Sequence, residues 1–227
     1  MKTLSHFLFT ALTTVIVILL LRIFVIGVFL IPSDGMSPTL LQGERIIVSK
    51  KSYGIRLPLM GILGYNRWGY KLVRKNDVVV FNNPADMKHR LIADKDVYIG
   101  RCAGTPGESI YVDETFKLSL QPSSMILSIP KKGEYIEVTP WNTMLLCNTL
   151  ILHEGRKAEV RDGSLLIDGK PVRFCRFTKD YYWVVSDNKD NVQDSRMIGL
   201  VPHTYLIGKA QFVAYSSQWS RFLKEIK

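Results

Sequence analysis

Cysteine and histidine are scarce in this sequence, whose 227 residues include three of the first and four of the second. Three cysteines can form at most one internal disulfide, and their spacing is not that of a metal site, so we expect buried free thiols at Cys102, Cys147 and Cys175. The histidines are scattered and suggest neither a catalytic triad nor a metal centre. The sequence therefore predicts no metal and no cofactor.

Acidic residues are also few: 20 stand against 30 lysines and arginines, which gives a net charge of +10. This excess indicates an anionic partner, and lipid headgroups are the first candidate because an apolar segment is present. Zinc-finger spacing, an RNP-like aromatic motif and a basic helix are all missing, so nucleic acid is not predicted as a partner. Internal repeats and low-complexity tracts are missing as well, and 22% charged with 47% hydrophobic residues is typical of a folded protein.

Charge is nearly absent from the stretch between Phe7 and Leu30, where Arg22 is the single charged residue. As a helix this run would extend about 36 Å, enough to cross a hydrocarbon core of about 30 Å. A cleaved signal peptide is the alternative, but the run is too long and no small-x-small site follows it. We predict a permanent transmembrane anchor over 7–30 behind a short tail, 1–6, with Arg22 snorkelling towards an interface.

Short β-branched runs, separated by Gly, Pro, Asn and Asp, follow the anchor. They predict strands at 44–49, 77–81, 96–99, 109–112, 135–138, 164–167, 181–185 and 207–215. The body over 31–227 is therefore expected to be mostly β, of barrel or sandwich type. The apolar, aromatic loop 53–68 has no helical stripe; it either packs over the core or forms a surface for the bilayer or an extended peptide.

Four motifs stand in order behind the anchor: the first motif, IPSDGMSPTL at 31–40; a strand motif, KNDVVVFNNP at 75–84; the second motif, YIGRCAGTPGE at 98–108; and the third motif, SDNKDNVQDSR at 186–196. Together they resemble the type I signal peptidases, the leader peptidases that use a Ser-Lys dyad, and the resemblance covers nearly the whole chain. It implies a signal-peptidase-like β body with an inserted smaller β lobe, which we place at 113–178.

The catalytic groups of that family are missing from the matching positions. In the family a lysine amine, kept neutral by desolvation, takes the proton of a nucleophilic serine. The resemblance places the nucleophile at Gly35, the general base at Gly100 and the residue that orients the base at Val192. None of these side chains is ionisable or nucleophilic, and dyad members act as a unit. We therefore expect a catalytically inactive homologue.

The frame around the dyad is retained. Ser33 and the backbone N–H of Gly35 match the oxyanion hole of the family. The remaining matches are structural residues of the first and third motifs: Met36, Pro38, Asp187, Asn188, Asp190, Asp194, Ser195 and Arg196. We expect Asp194 and Arg196 to pair, because ionic groups beside a packed core require partners. A retained frame favours a groove that binds extended signal peptides, or a protein that associates with an active peptidase or the secretion machinery.

Two further interpretations remain open. One is an active signal peptidase with substitute residues, with Ser33 or Ser37 as nucleophile and Lys50, Lys51, Lys95 or Lys189 as base. The other is a structural protein whose basic surface rests on anionic lipid. Two glycines at the catalytic positions would also suit a deliberate laboratory inactivation, against which the third change, at Val192, argues.

Membrane orientation receives opposing signals. Lys2 precedes the anchor whereas Arg45, Lys50, Lys51 and Arg56 follow it, so the positive-inside rule favours a cytoplasmic body. The family arrangement is a single pass through the cytoplasmic (inner) membrane with the body on the exported side. We follow the family, because long domains can override the charge bias.

Overall fold

The computed structural model describes residues 2–57, 66–113, 125–190 and 193–227, and the described chain is mostly β, as predicted. Its helices are α1 (Lys2–Phe24), α2 (Thr143–Glu154) and α3 (Ser195–Ile198). Its strands are β1 (Ile26–Leu30), β2 (Arg45–Ser49), β3 (Ile55–Arg56), β4 (Arg67–Trp68), β5 (Val78–Asn82), β6 (Val97–Gly104), β7 (Ser109–Val112), β8 (Met125–Ser128), β9 (Tyr135–Glu137), β10 (Ala158–Arg161), β11 (Ser164–Ile167), β12 (Lys170–Pro171), β13 (Phe174–Arg176), β14 (Tyr181–Val185), β15 (Val201–Pro202) and β16 (Leu206–Tyr215).

Helix α1 is long and apolar enough over His6–Phe24 to cross a membrane, and no part of that stretch is buried against the body. It differs from the predicted helix over 7–30 at both ends. It begins at Lys2, within the predicted tail, and ends at Phe24, so the prediction was wrong for the last six residues. Ile26–Leu30 forms the strand β1 instead.

The end of α1 is fixed by Lys50. The Lys50 ammonium donates to the carbonyl oxygens of Arg22 (2.8 Å) and Ile23 (3.3 Å), which lack helical partners at a C-terminus. The next residues then pair with β2, from Ile26 opposite Ser49 to Leu30 opposite Arg45. Apolar composition suits both a membrane helix and a strand, so this boundary was not visible in the sequence.

Seven strands form the main antiparallel sheet, in the order β1-β2-β16-β5-β6-β14-β15. The central strand β5 is buried at every residue. Because successive side chains point to opposite faces, Val79 and Phe81 enter one apolar cluster while Val78 and Val80 enter another. The sheet therefore has a core on both faces, which explains the uninterrupted apolar run that marks β5 in the sequence.

The smaller sheets of the described chain are β3–β4, β7–β8, β9–β13 and β10–β11–β12. Together with α2, the last three of these pack a third apolar cluster, to which Leu127, Leu146 and Trp183 belong. The boundaries 113–178 of an inserted lobe stay a prediction. Helix α2 was not predicted, because its apolar residues lie all round the helix: Leu146 is buried whereas Met144 is 59% exposed.

Each of the eight predicted strands overlaps an observed one. All three cysteines are buried and free, as expected. Of the loop 53–68, residues 58–65 lie outside the described residues, and its flanks pair as β3 with β4.

Candidate functional site

The first motif is a compact turn that begins directly after β1. Ile31 donates from its backbone N–H to Glu44 O (2.8 Å) and accepts from Gly43 N (2.9 Å), and Leu40 N donates to Met36 O (2.8 Å). Ile31, Met36 and Leu40 are buried in the apolar cluster that also contains Val78 and Val80 of β5. These apolar anchors hold Gly35, which is itself buried, at a fixed place beside the sheet. Pro38 is exposed.

The third motif contacts the first through Asn188. Its backbone N–H donates to Gly35 O (3.0 Å), and its side-chain amide lies 3.3 Å from the Asp34 carboxylate. Asp190 N in turn donates to the Asn188 side chain (3.1 Å). The two matched motifs are therefore joined at position 35. Val192, the predicted base-orienting position, lies outside the described residues.

Asp194 organises the remainder of the third motif. Its carboxylate caps α3 by accepting from Arg196 N (3.0 Å), and it also accepts from Ser186 N (2.8 Å). The expected ion pair with Arg196 is present at 2.7 Å, and the Asp194 side chain is 2% exposed. Ser195 is buried and its hydroxyl accepts from Val184 N (2.9 Å). These residues bind one another, which is consistent with a structural role.

An ion pair that sequence reasoning missed connects the second and third motifs. Arg101 donates from Nε and Nη2 to the two carboxylate oxygens of Asp187, at 2.7 and 2.6 Å. The same guanidinium donates to the carbonyls of Asn76 and Lys227, both at 2.9 Å. The Asp187 side chain raises the pKa of Arg101. Both residues stood in the quoted motifs, but their contact joins positions 86 residues apart and leaves no local pattern.

Gly100 lies in β6 opposite Val79 and is buried. Another side chain lies close to the point at which a side chain on residue 100 would begin. A Cβ on residue 100 would be 2.5 Å from Val184 Cγ1 and 3.1 Å from Val185 O. Separations below about 3 Å require a neighbour to move. Val184 belongs to the same apolar cluster as Val79 and Cys102. The place where a lysine stem would start is therefore occupied.

A cleft of about 380 Å³ opens beside Gly35. Its walls come from the first motif, from the start of β6 and from the third motif: Ile31, Pro32, Ser33, Gly35, Met36, Asp96, Val97, Tyr98, Ile99, Ser186 and Gln193. Ser33, the predicted oxyanion-hole residue, and Gly35 thus line one cavity.

One wall of the cleft is an open strand edge. Strand β14 pairs with β6 only from Arg101 to Gly104, so within the described chain Val97–Gly100 pair with β5 alone. Asp96 O accepts from Asn83 N and Cys102 N donates to Asp77 O. Because bonding alternates along an antiparallel strand, the backbone groups of Val97 and Ile99 point away from β5. They are available to an added strand.

The alternative catalytic residues do not gather at this cleft. Ser33 lines it, but none of its described lining residues is a lysine or histidine. Lys50 caps α1, and Lys95 is buried and donates to Asp86 O. Cys102 is fully buried, and burial raises the pKa of its thiol to about 12.

Comparisons with known proteins identify the family. A family model described as "Signal peptidase, peptidase S26" matches residues 4–215. The chain is 29% identical to Signal peptidase I of Buchnera aphidicola subsp. Baizongia pistaciae, over 92% of this chain and 74% of that protein. It is 30% identical to Signal peptidase I of Pseudomonas fluorescens, over 86% and 66% respectively. Signal peptidase I of Helicobacter pylori is 24% identical, over 89% and 79%.

Proposed function

This chain belongs to the signal peptidase family, peptidase S26, and we propose that it is a membrane-anchored member that binds the signal peptides of exported proteins without cleaving them. The observation that carries the proposal is Gly100. Position 100 has no amine, and Val184 fills the space in which a lysine stem would begin. Gly35 likewise offers no nucleophile at the other matched position.

Loss of the base affects every serine in the cleft. A serine hydroxyl needs a neighbouring base to become a nucleophile at neutral pH. Ser33 lines the cleft, yet the described lining residues include no amine or imidazole. The carboxylate of Asp96 is in that lining too, but a carboxylate is a weak base for a hydroxyl proton. Substitute catalysis is therefore not favoured.

Binding requires only the parts that remain. An extended peptide entering the cleft would add a strand to the open edge of β6 and use the backbone groups of Val97 and Ile99. The turn carrying Ser33 and Gly35 also lines the cleft. Main-chain hydrogen bonds of this kind supply affinity without a required sequence, and the shape of the cleft selects side chains. The anchor α1 keeps this edge near the bilayer, in the inner membrane with the body on the exported side.

The test is binding of a fluorescent signal peptide with an Ala-x-Ala site to the full-length chain in detergent. Ile99→Pro removes one N–H from the open edge and leaves the bonds to β5 in place, so it should weaken binding about tenfold. Ile99→Ala, which shortens the side chain but keeps that N–H, is the matched control and should bind more tightly than the proline variant. Mass spectrometry should recover the peptide intact. No binding by the unaltered chain, or cleavage of the peptide, would contradict the proposal.

A further inference from the structure

A second cavity, of about 290 Å³, lies where the membrane helix meets the body. Its lining comes from the end of α1, from β1 and from neighbouring strands and loops: Ile23, Phe24, Phe29, Lys50, Arg56, Leu57, Asn82, Ala93, Val97 and Ile207. Most of these side chains are apolar. Two are cationic, and the described lining includes no carboxylate.

Lys50 is the centre of the positive charge. It makes no ion pair within the described part of the chain, and its ammonium is bound instead by the helix-end carbonyls of Arg22 and Ile23. Burial lowers the pKa of Lys50, and the charges of Arg22 and Arg56 lower it further. Arg56 reaches the same cavity and donates from Nη1 to Asn82 Oδ1 (3.0 Å). Lys50 is thus repelled by two other cations, of which Arg56 lines the same cavity, and a bound anion would relieve that repulsion.

The position of the cavity indicates which anion. The candidate membrane-spanning stretch ends at Phe24, so Lys50 and Arg56 lie at the depth where lipid headgroups begin. Phe24 and Phe29 supply apolar wall beside the two cations. A ligand with a phosphate joined to a hydrocarbon chain matches both parts of this lining, whereas a free phosphate uses only one.

We propose that this cavity binds the phosphate of a single anionic phospholipid, held by Lys50 and Arg56, with the start of an acyl chain along Phe24 and Phe29. The site borders the peptide-binding cleft, since Val97 lines both, but its two cations lie outside that cleft and lipid binding does not require a bound peptide. Basic pockets beside membrane helices are suited to such headgroups. The bound lipid would fix the angle between α1 and the body, since Lys50 contacts both.

The experiment measures lipid retained by the detergent-purified full-length chain in native mass spectrometry, after exposure to phosphatidylglycerol, cardiolipin or phosphatidylcholine. We expect one anionic lipid per chain and little phosphatidylcholine. The double variant Lys50→Gln/Arg56→Gln should reduce anionic-lipid affinity roughly thirtyfold. The control Lys51→Gln/Arg74→Gln removes the same charge from exposed positions outside the cavity lining and should retain the lipid.

A second variant guards against misfolding caused by loss of the helix cap. Ala93→Phe narrows the cavity at an exposed position, changes no charge and should also reduce retention. Three results would overturn the proposal: equal retention by the double variant and its control, equal retention of phosphatidylcholine and anionic lipid, or binding of inorganic phosphate with no lipid retained. Displacement of the lipid by a neutral signal peptide would likewise assign the cavity to peptide.

Discussion

Val184 Cγ1 lies 2.5 Å from the point that a Cβ on residue 100 would occupy, so Gly100 and Val184 are packed against each other as a pair. Both belong to strands of the main sheet, and Val184 is fully buried. A side chain at position 100 would therefore begin in space that the core of the sheet already fills. Restoring a lysine at 100 is a change of packing as well as of chemistry.

The first prediction concerns this pair. Gly100→Ala should lower the free energy of unfolding by about 1–3 kcal/mol, because the added methyl group overpacks a close contact. In a Val184→Ala background the same change should cost much less, since Cγ1 is gone. Denaturant unfolding of the four proteins gives the coupling energy. Additive effects of the two substitutions would show that they do not share this space.

The second prediction concerns restored chemistry. Gly35→Ser, Gly100→Lys and Val192→Ser should yield an active peptidase only when combined with Val184→Ala, which makes room for the lysine stem. Cleavage of an Ala-x-Ala precursor should then exceed that of the unaltered chain by about a thousandfold or more. Replacing Gly100→Lys by Gly100→Met in the same background supplies a similar stem without an amine and should abolish cleavage. Equal activity of the lysine and methionine variants would contradict the assignment of position 100.

The third prediction concerns Arg101 and Asp187, whose side chains are 20% and 13% exposed. Asp187→Asn should destabilise the body by about 3 kcal/mol, because it leaves a mostly buried guanidinium without its charged partner. It should also weaken peptide binding, since Asn188 next to it bonds to Gly35. The matched control is Asp168→Asn, which breaks an ion pair with Arg156 that is half exposed on both sides. Thermal unfolding measures the stability of both variants. Asp168→Asn should lower the free energy of unfolding by less than about 1 kcal/mol.

The fourth prediction concerns pH. Burial lowers the pKa of His153 to about 4 and that of His203 to about 3, from an ordinary value of 6.5. Both histidines are therefore neutral in the folded state over a range in which the unfolded chain binds protons. Their contribution to stability is complete above pH 6.5 and is lost as the pH falls towards 4 and then 3.

His153→Leu tests this directly, because His153 is buried and leucine does not titrate. Between pH 6.5 and 4 the variant should lose stability less steeply, by about 1.4 kcal/mol per pH unit. The measurement is the free energy of unfolding across that range in urea. Parallel pH profiles for the variant and the unaltered chain would contradict the predicted shift.

Much of the sheet was predictable because its strands have local signals. The β-branched runs of β5 and β16 are bounded by turn residues and were correctly identified. Strand β1 was not, because Ile26–Leu30 continues an apolar run that equally suits a membrane helix; pairing with β2 and the cap from Lys50 decide the outcome. Both are contacts with residues 15 to 28 positions further along the chain.

The site was predictable in its motifs but not in its contacts. Gly35 and Gly100 were singled out by position within matched segments, and Ser33 does line the cleft. The packing of Val184 on Gly100, the Arg101–Asp187 pair and the open edge at Val97 and Ile99 arise from strands far apart in sequence. Contacts between residues so far apart leave no periodic pattern in the sequence from which they could be predicted.

A single residue, Val25, separates the end of α1 from the start of β1, and the cleft begins immediately after β1 at Ile31. One strand, about 17 Å long at the usual rise per residue, therefore separates the membrane helix from the start of the cleft. If α1 crosses the bilayer as proposed, this length is an upper limit on the height of the cleft above the end of the helix. A membrane helix changes its tilt with bilayer thickness, and a change of tilt would move the cleft relative to the membrane surface. Bilayer thickness would then affect which polypeptide segments come within reach of the cleft.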